Sequence, residues 1–261
     1  MFVAQLIALI DRVAPVALAE DWDNVGLIVG RHNRTVSRVL VALELRDDVL
    51  HEARERGSDA IIVHHPPIFP SVTALTDDGP AVELVLTAAE ERIAVIAAHT
   101  NLDAAPGGLN DRMAQMLGLS ATRPLAPSAT DPAAGLGRVG SVAPLPLEEL
   151  VHRVATAIPG AVTFAGDPGV HVSRVACCTG SGASMIPDAM AAEADVLVTS
   201  DLKHHDWDRG AGMPLICAPH AQVERLAMRA WFRDFERLLH AEGVEGTFAE
   251  VDTDPWQAVA R

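Results

Sequence analysis

Residues 57–65 read Gly57-Ser58-Asp59-Ala60-Ile61-Ile62-Val63-His64-His65. The four apolar residues predict a short buried strand, and the two histidines stand at its end. Successive side chains of a strand point to opposite faces, so the adjacent imidazoles would diverge. This arrangement offers one ligand to each of two neighbouring metal ions. Pro66 and Pro67 follow, and they exclude an immediate helix and stiffen the supporting loop.

The strand–helix–strand pattern around this run occurs a second time in the chain. Arg38 and Asp59 frame the first copy, and Arg174 and Asp195 frame a counterpart 136 residues later. A further match sets residues 93–99 against residues 214–220 with an offset of 121, so one loop is 15 residues shorter in the second half. The duplication predicts an α/β fold of two similar lobes, with a metal site in the cleft between them.

The expected boundary between the lobes lies in a stretch rich in Pro, Ala and Gly. Residues 123–137 lack the periodicity of a helix or a strand. We therefore assign residues 1–125 to the first α/β lobe and residues 126–261 to the second. The C-terminal part reads as a long helix from residue 221 to residue 240 and a strand at residues 247–251, and both could pack back on the first lobe.

Two His-x-x-x-acid pairs accompany the His64-His65 pair. In His220-Ala221-Gln222-Val223-Glu224 the polar residues are four apart, so a helix would stack them on one face, where the carboxylate could bridge two ions. His99 and Asp103 repeat this spacing, although a Pro-Gly-Gly turn soon follows. Any one such pair is more simply explained as a polar residue at a strand end. The duplicated positions are what favour a metal site for the whole set.

Two loops that follow strand-like runs are further candidates. Residues 179–184, Thr-Gly-Ser-Gly-Ala-Ser, could bind an anion through their amides or could simply form a tight strand-to-helix turn. Residues 200–206 occupy in the second half the place of His64 and His65 in the first. Lys203 and a neighbouring histidine could face the metal ions there, or they could be ordinary loop residues.

Composition limits the classes of function. At 261 residues and 49% apolar content the chain can bury one large core or two smaller ones. Its formal charge of −15 argues against general nucleic-acid binding, because that function usually needs a basic surface. The N-terminal apolar run is too short to span a bilayer, and three cysteines in apolar strands without CxxC spacing favour a cytoplasmic protein with reduced thiols.

The sequence resembles the NGG-one-interacting-factor-three-like family, whose members are often labelled GTP cyclohydrolase I type 2 homologues. The resemblance spans nearly the whole chain and rests on six ordered motifs. They are Trp22-Asp23-Asn24-Val25-Gly26-Leu27, His64-His65-Pro66, His99-Thr100-Asn101-Leu102-Asp103, Gly135-Leu136-Gly137-Arg138-Val139-Gly140, Ser200-Asp201-Leu202-Lys203-His204-His205 and His220-Ala221-Gln222-Val223-Glu224.

The resemblance implies two α/β lobes, a dinuclear metal centre and six subunits in a ring. The family's metal ligands correspond to His64, His65, Asp103, His220 and Glu224, and Glu224 is expected to bridge the ions. Pro219 stands where the family usually has glycine, and Ser200 also departs from the family pattern. The short segment between residues 123 and 139 leaves no room for the extra domain that some members carry.

Three imidazoles and two carboxylates for two ions would leave positions open for water, as a hydrolytic site requires. The mixed nitrogen and oxygen donors suit Zn, Mn or Fe. The leading hypothesis is metal-dependent hydrolysis of a small molecule, such as a nucleotide or another heterocycle, with His99, Lys203 and His205 as candidates to orient substrate or transfer protons. The alternative is a non-catalytic metal-binding ring, a scaffold or regulator that binds a protein partner.

Overall fold

The computed structural model describes residues 1–69, 71–77, 79–210 and 212–256, which form two compact units. Unit 1 comprises Met1–Leu102 and Met228–Thr253. Unit 2 comprises Asp103–Ala227 and the described residues from Asp254 onward. No helix within these ranges combines the length and apolar character needed to cross a bilayer.

Unit 1 is built on a five-stranded sheet with the strand order β1-β4-β3-β2-β11. Strands β4, β3, β2 and β11 run parallel to one another, and β1 runs antiparallel to β4. Its elements are α1 (Val3–Asp11), β1 (Gly26–Val29), β2 (Arg38–Ala42), α2 (Asp47–Arg56), β3 (Ala60–Val63), α3 (Pro80–Glu90), β4 (Ala94–Ala97) and β11 (Glu245–Phe248).

Unit 2 is built on a six-stranded sheet with the strand order β5-β6-β8-β9-β10-β7. Strands β8, β9 and β10 run parallel to one another. Strand β6 is antiparallel to both β5 and β8, and β7 is antiparallel to β10. Its elements are α5 (Leu109–Met116), β5 (Ser120–Pro127), β6 (Gly135–Pro146), α6 (Leu147–Ala157), β7 (Thr163–Ala165), β8 (His171–Ser181), α7 (Ile186–Ala191), β9 (Val196–Ser200), α8 (Asp206–Arg209) and β10 (Leu215–Cys217).

Two helices continue across the division between the units. The short helix α4 (Thr100–Ala104) starts in unit 1, and the long helix α9 (His220–Ala241) starts in unit 2. The division therefore falls after Leu102 and not near residue 125, where the sequence analysis places it. The reason is that β5 pairs with β6 and α5 packs on β6 and β8, which joins residues 103–127 to the second sheet.

The predicted α/β architecture is confirmed, with helices and two mixed sheets. All four residues of β3 and of β4 are buried. Such uninterrupted apolar runs are typical of parallel strands that are covered on both faces. Because β3 and β4 are parallel neighbours, their carboxyl ends lie at the same edge of the sheet. The residues that follow these two strands therefore meet at that edge.

Each unit contains an aspartate that binds the start of the first parallel strand in the same way. In unit 1, Asp59 accepts hydrogen bonds from the backbone and hydroxyl of Ser37 at 2.7 and 2.8 Å and from the Arg38 amide at 3.1 Å. In unit 2, Asp195 accepts the equivalent three bonds from Ser173 and Arg174 at 2.7, 3.1 and 2.7 Å. Burial opposes ionisation, but these donors lower the pKa of both carboxyl groups.

A buried arginine anchors α5 in unit 2. The Arg138 guanidinium donates to both carboxylate oxygens of Asp111, at 2.5 and 2.9 Å, and to the carbonyls of Gly135 and Gly137 at 2.8 and 2.7 Å. Arg138 is 1% exposed, so these acceptors must replace water in stabilising its positive charge. The guanidinium lowers the pKa of Asp111 despite the opposing effect of burial. The pair thus holds the start of α5 against β6.

We expect Asp111→Ala to lower the free energy of unfolding by about 3 kcal/mol, because it leaves a buried guanidinium without its counter-ion. The exposed pair Glu149–Arg153 provides a matched control in the same unit, with side chains 53% and 50% exposed. Glu149→Ala should cost less than about 1 kcal/mol. Urea denaturation followed by circular dichroism measures both variants. Equal costs would show that the buried pair does not anchor α5.

Candidate metal centre

His64 and His65 follow β3 directly, and their backbone amides both donate to the Leu43 carbonyl, at 3.0 and 2.9 Å. The His64 side chain is buried, and its Nδ1 lies 2.9 Å from the Ala98 carbonyl oxygen. A carbonyl can only accept a hydrogen bond, so Nδ1 carries the proton and Nε2 carries the lone pair. His64 is therefore held in the tautomer that a metal ligand at Nε2 requires.

His99 follows β4 and is oriented by a residue from a distant loop. Its Nδ1 lies 2.8 Å from the Oδ1 atom of Asp23, whose side chain has no exposed surface. Asp23 also accepts hydrogen bonds from the Thr100 amide, at 3.0 Å, and from the Thr100 hydroxyl. Burial works against ionisation, yet these donors lower the pKa of Asp23. An ionised carboxylate thus fixes the His99 ring, as it does in many metal sites.

Three imidazoles meet at this edge of unit 1. One ring nitrogen from each of His64, His65 and His99 lies within 4.8 Å of the other two. His65 also lies beside Glu44, with Nδ1 and Oε2 separated by 3.8 Å. From the sequence, His64 and His65 are predicted to bind the metal ions and His99 to orient substrate or transfer protons. The cluster gives His99 the geometry of a third possible ligand.

His220 and Glu224 occupy the first turn of α9 in unit 2. The His220 Nε2 atom and the Glu224 Oε2 atom are 2.9 Å apart, as the spacing of four residues predicts for a helix. The His220 Nδ1 atom lies 2.5 Å from Asp201 Oδ2. Burial would lower the pKa of His220, but the carboxylates of Glu224 and Asp201 raise it to about 9. The two acids therefore favour a positive charge at this place.

Asp103 and Glu224 both lie against the end of β8. The Asp103 Oδ1 atom accepts a hydrogen bond from the Thr179 hydroxyl at 2.9 Å, and Asn110 bridges the Asp103 carbonyl and the Thr179 amide. Glu224 contacts the next residue, Gly180, where an added Cβ atom would lie 2.7 Å from Oε1. Unit 2 thus brings two buried carboxylates together at Thr179 and Gly180.

Within the stretch 179–184, interpreted from the sequence as either an anion-binding loop or a tight turn, Thr179 and Gly180 lie against Asp103 and Glu224, two carboxylates of the protein itself. Thr179 and Gly180 lie inside β8, and only the following residues turn towards α7. Gly180 has a φ of 65°, a conformation that disfavours residues with a Cβ atom. Glycine fits this position because of its backbone conformation, and an added methyl group would also require the buried Glu224 carboxylate to shift.

Lys203 and His205 lie in the exposed loop between β9 and α8. The Lys203 amide donates to Asp206 at 2.9 Å, and the ring of His205 packs edge-on against His204. The loop starts at Asp201, whose φ of 53° is unusual for a residue other than glycine. Lys203 is the only lysine among the 20 Lys and Arg residues of the chain. Asp201 connects this loop to His220.

A cavity of about 360 Å³ adjoins His220 within unit 2. Asp201, Leu202, Pro219 and Trp256 contribute to its lining, so its wall combines carboxylate, apolar and aromatic surface. The size is within the usual range for small-molecule sites. Pro219, which departs from the family pattern, belongs to this wall and also packs against Gly160.

The donor set fits divalent metal ions. Imidazole nitrogens and carboxylate oxygens are the donors of Zn, Mn and Fe sites. The buried thiols do not belong to the set, because burial raises the pKa of Cys177 to about 12 and the pKa of Cys178 further. The sequence predicted the candidate donors but gave no orienting role to Asp23, Glu44, Asn110, Thr179 and Asp201. Three of these residues lie in stretches that the sequence had singled out for other reasons, Asp23 and Asp201 in two of the six motifs and Thr179 in the loop at residues 179–184.

Comparison with known proteins agrees with the resemblance seen in the sequence. The family model described as Duf34/NIF3 (NGG1p interacting factor 3) matches residues 1–255. A Streptomyces coelicolor protein named GTP cyclohydrolase 1 type 2 homolog is 37% identical and covers 98% of this chain and 93% of its own length.

Solved structures of similar proteins have the same fold. A Staphylococcus aureus hypothetical protein superposes with a TM-score of 0.92 at 29% identity, covering 99% of both chains. A Bacillus cereus protein related to NIF3 also gives a TM-score of 0.92, at 22% identity over 99% of both chains, and this likeness shows the fold alone.

We expect Gly180→Ala to destabilise the protein by at least about 2 kcal/mol, because the new methyl group must displace Glu224 as well as strain the backbone. Gly118→Ala is the matched control, since Gly118 has a φ of 71° and open space around its Cβ position. It should cost only about 1 kcal/mol, from backbone strain. Urea midpoints compare the two variants, and equal midpoints would mean that Glu224 does not need the space at Gly180.

Proposed function

Because this chain belongs to the Duf34/NIF3 family, we propose that it binds two divalent metal ions and uses them to hydrolyse a small molecule. The observation that carries the proposal is the histidine cluster, in which ring nitrogens of His64, His65 and His99 lie within 4.8 Å of one another. Oriented imidazoles gathered at the carboxyl edge of a parallel sheet are typical of functional sites in α/β proteins.

The ligands that we assign are His64 and His65 from unit 1, with Asp103, His220 and Glu224 from unit 2. Glu224 would bridge the two ions. The two units would then be the products of a duplication. The equivalent hydrogen bonds of Asp59 and Asp195, 136 residues apart, support the duplication. The negative charge gathered at Asp103 and Glu224 supports a cation there.

Bound divalent ions supply Lewis acidity and activate water for hydrolysis. The residues of the chain have separate tasks. Asp23 holds the His99 ring through Nδ1, which leaves Nε2 available to bind substrate or to transfer a proton. Lys203 and His205, on the loop that begins at Asp201, would orient the substrate or exchange protons with it. His99, Lys203 and His205 are thus the candidate catalytic residues.

The proposed substrate is a nucleotide or another heterocycle. The support is the name of the Streptomyces coelicolor relative, GTP cyclohydrolase 1 type 2 homolog. The cavity of about 360 Å³ beside His220 offers space for a molecule of this size. We further propose a cytoplasmic protein that assembles into a hexameric ring. Three free cysteines, two of them buried, support the compartment, and the ring is an expectation from the family resemblance.

A second candidate function is a metal-binding scaffold that binds a protein partner. The observation that favours it is the family description itself, which names an interacting factor. In this case the ions would stabilise the fold and no substrate would be turned over. Measuring metal content together with turnover separates the two functions.

We expect the purified protein to contain two divalent ions per chain and His64→Ala and Glu224→Ala each to reduce that content by about one ion or more. Removal of a ligand weakens binding because the remaining donors no longer fill the coordination shell. His152→Ala is the control, since His152 is 76% exposed on α6. Elemental analysis measures the ions, and circular dichroism checks folding. Full metal content in both ligand variants would contradict the assignment.

We expect Lys203→Arg to lose about as much turnover as Lys203→Met, roughly 100-fold in kcat, if Lys203 transfers a proton. A guanidinium keeps the charge but stays protonated at neutral pH. The assay uses the metal-loaded protein with a panel of nucleotides, phosphoesters and cyclic amides. Retained activity in Lys203→Arg would limit Lys203 to supplying charge. Two bound ions with no turnover across the panel would favour the scaffold.

A further inference from the structure

Two large aromatic side chains are exposed beside the histidine cluster of unit 1. Trp22 is 59% exposed and Phe69 is 48% exposed. The chain has few aromatic residues, 4% in total, and most aromatic surface in folded proteins is buried. Exposed aromatic rings next to polar functional groups are characteristic of binding sites. We call Trp22 and Phe69 together the aromatic platform.

The platform is attached to the histidine cluster through His99. The ring centroids of Trp22 and Phe69 are 5.6 Å apart, and they lie 6.3 and 6.1 Å from the centroid of His99. All three contacts are edge-on, an arrangement that favours aromatic pairs. The His99 ring in turn lies 5.0 Å from His64. The platform therefore borders the donors that would hold a metal ion.

Hydrogen bonds fix both loops that carry the platform. The Asn24 side chain donates to the Ile68 carbonyl at 2.6 Å, which ties the loop of Trp22 to the loop of Phe69. Asp23 binds His99 and Thr100, which ties the first loop to the end of β4. The exposed rings are thus held in place without a ligand, and little conformational entropy would be lost on binding.

We propose that the aromatic platform binds a planar aromatic or heteroaromatic ring of the substrate, while a polar group of the same molecule reaches the histidine cluster. In nucleic-acid sites, any of the bases can stack on an aromatic side chain, and each stacked base strengthens binding by about tenfold. The proposal rests on the proposed function, because it requires a metal-binding group at the histidines. The aromatic platform would then be the part of the protein that selects substrates with an aromatic or heteroaromatic ring.

The negative charge near the aromatic platform limits the chemical groups that can bind there. Glu20 and Asp21 precede Trp22 in the chain, and both are exposed. Their carboxylates disfavour a phosphate at this position and favour a neutral or cationic ring, which the negative face of an aromatic side chain also attracts. The ring that fits is therefore an uncharged or protonated heterocycle rather than an anionic group.

Two hydroxamates with the same metal-binding group provide the test. Benzohydroxamate carries an aromatic ring and acetohydroxamate carries a methyl group, so the ratio of their dissociation constants measures the contribution of the ring. Calorimetry on the Zn²⁺-loaded full chain should give a ratio of about 10 in favour of benzohydroxamate. Trp22→Ala and Phe69→Ala should each bring the ratio close to 1. Phe2→Ala is the matched control, since Phe2 is also 48% exposed in unit 1, and it should keep the ratio.

The outcomes distinguish this inference from the proposed function. Zn²⁺-dependent binding of both probes with the same ratio in all variants would overturn the platform and leave the metal centre intact. Binding that does not depend on Zn²⁺ would overturn the metal centre and, with it, this inference. Light scattering on Trp22→Ala adds a further check. A fall in molecular mass would assign the platform to a contact between copies of the chain, which would also overturn ligand binding there.

Discussion

The hydrogen bond between Asp23 and His99 is the interaction on which the site in unit 1 depends. The Asp23 side chain has no exposed surface, and a buried carboxylate is stable only when strong donors surround it. His99 and Thr100 supply those donors. The contact therefore fixes the end of β4, the tautomer of His99 and the loop that carries Trp22. The proposed role of His99 towards substrate and the proposed ring binding at Trp22 both use parts that this one contact positions.

Unit 2 also orients a histidine with an aspartate, but the aspartate comes from a different part of the fold. Its histidine after the third parallel strand, His220, is also held at Nδ1 by an aspartate, but Asp201 comes from the loop after β9 and Asp23 comes from the loop before β1. Asp103 and Glu224 both lie against Thr179 and Gly180, so negative charge gathers at the end of β8. The carboxylates of Glu224 and Asp201 raise the pKa of His220 and so favour a positive charge here, and a bound divalent ion would offset more of the negative charge.

Local patterns in the sequence predicted the elements that carry the candidate donors, because each pattern spans only a few neighbouring residues. The buried strands at residues 60–63 and 94–97 and the four-residue spacing of His220 and Glu224 follow from such patterns. The orienting contacts do not, since Asp23 and His99 are 76 residues apart and Asp103 and Thr179 likewise. Residues 123–137 misled the assignment of the lobes. Their prolines suggested a linker, yet β5 is an edge strand, where proline is tolerated.

X-ray absorption spectroscopy of the metal-loaded protein tests the central claim most directly, because it reports ligand type and the presence of a second ion in one spectrum. A dinuclear centre built from these side chains predicts nitrogen and oxygen neighbours, imidazole scattering and a metal–metal contribution. A spectrum with sulfur neighbours, or one without imidazole scattering or a second metal, would contradict the assignment of His64, His65, Asp103, His220 and Glu224 to two ions.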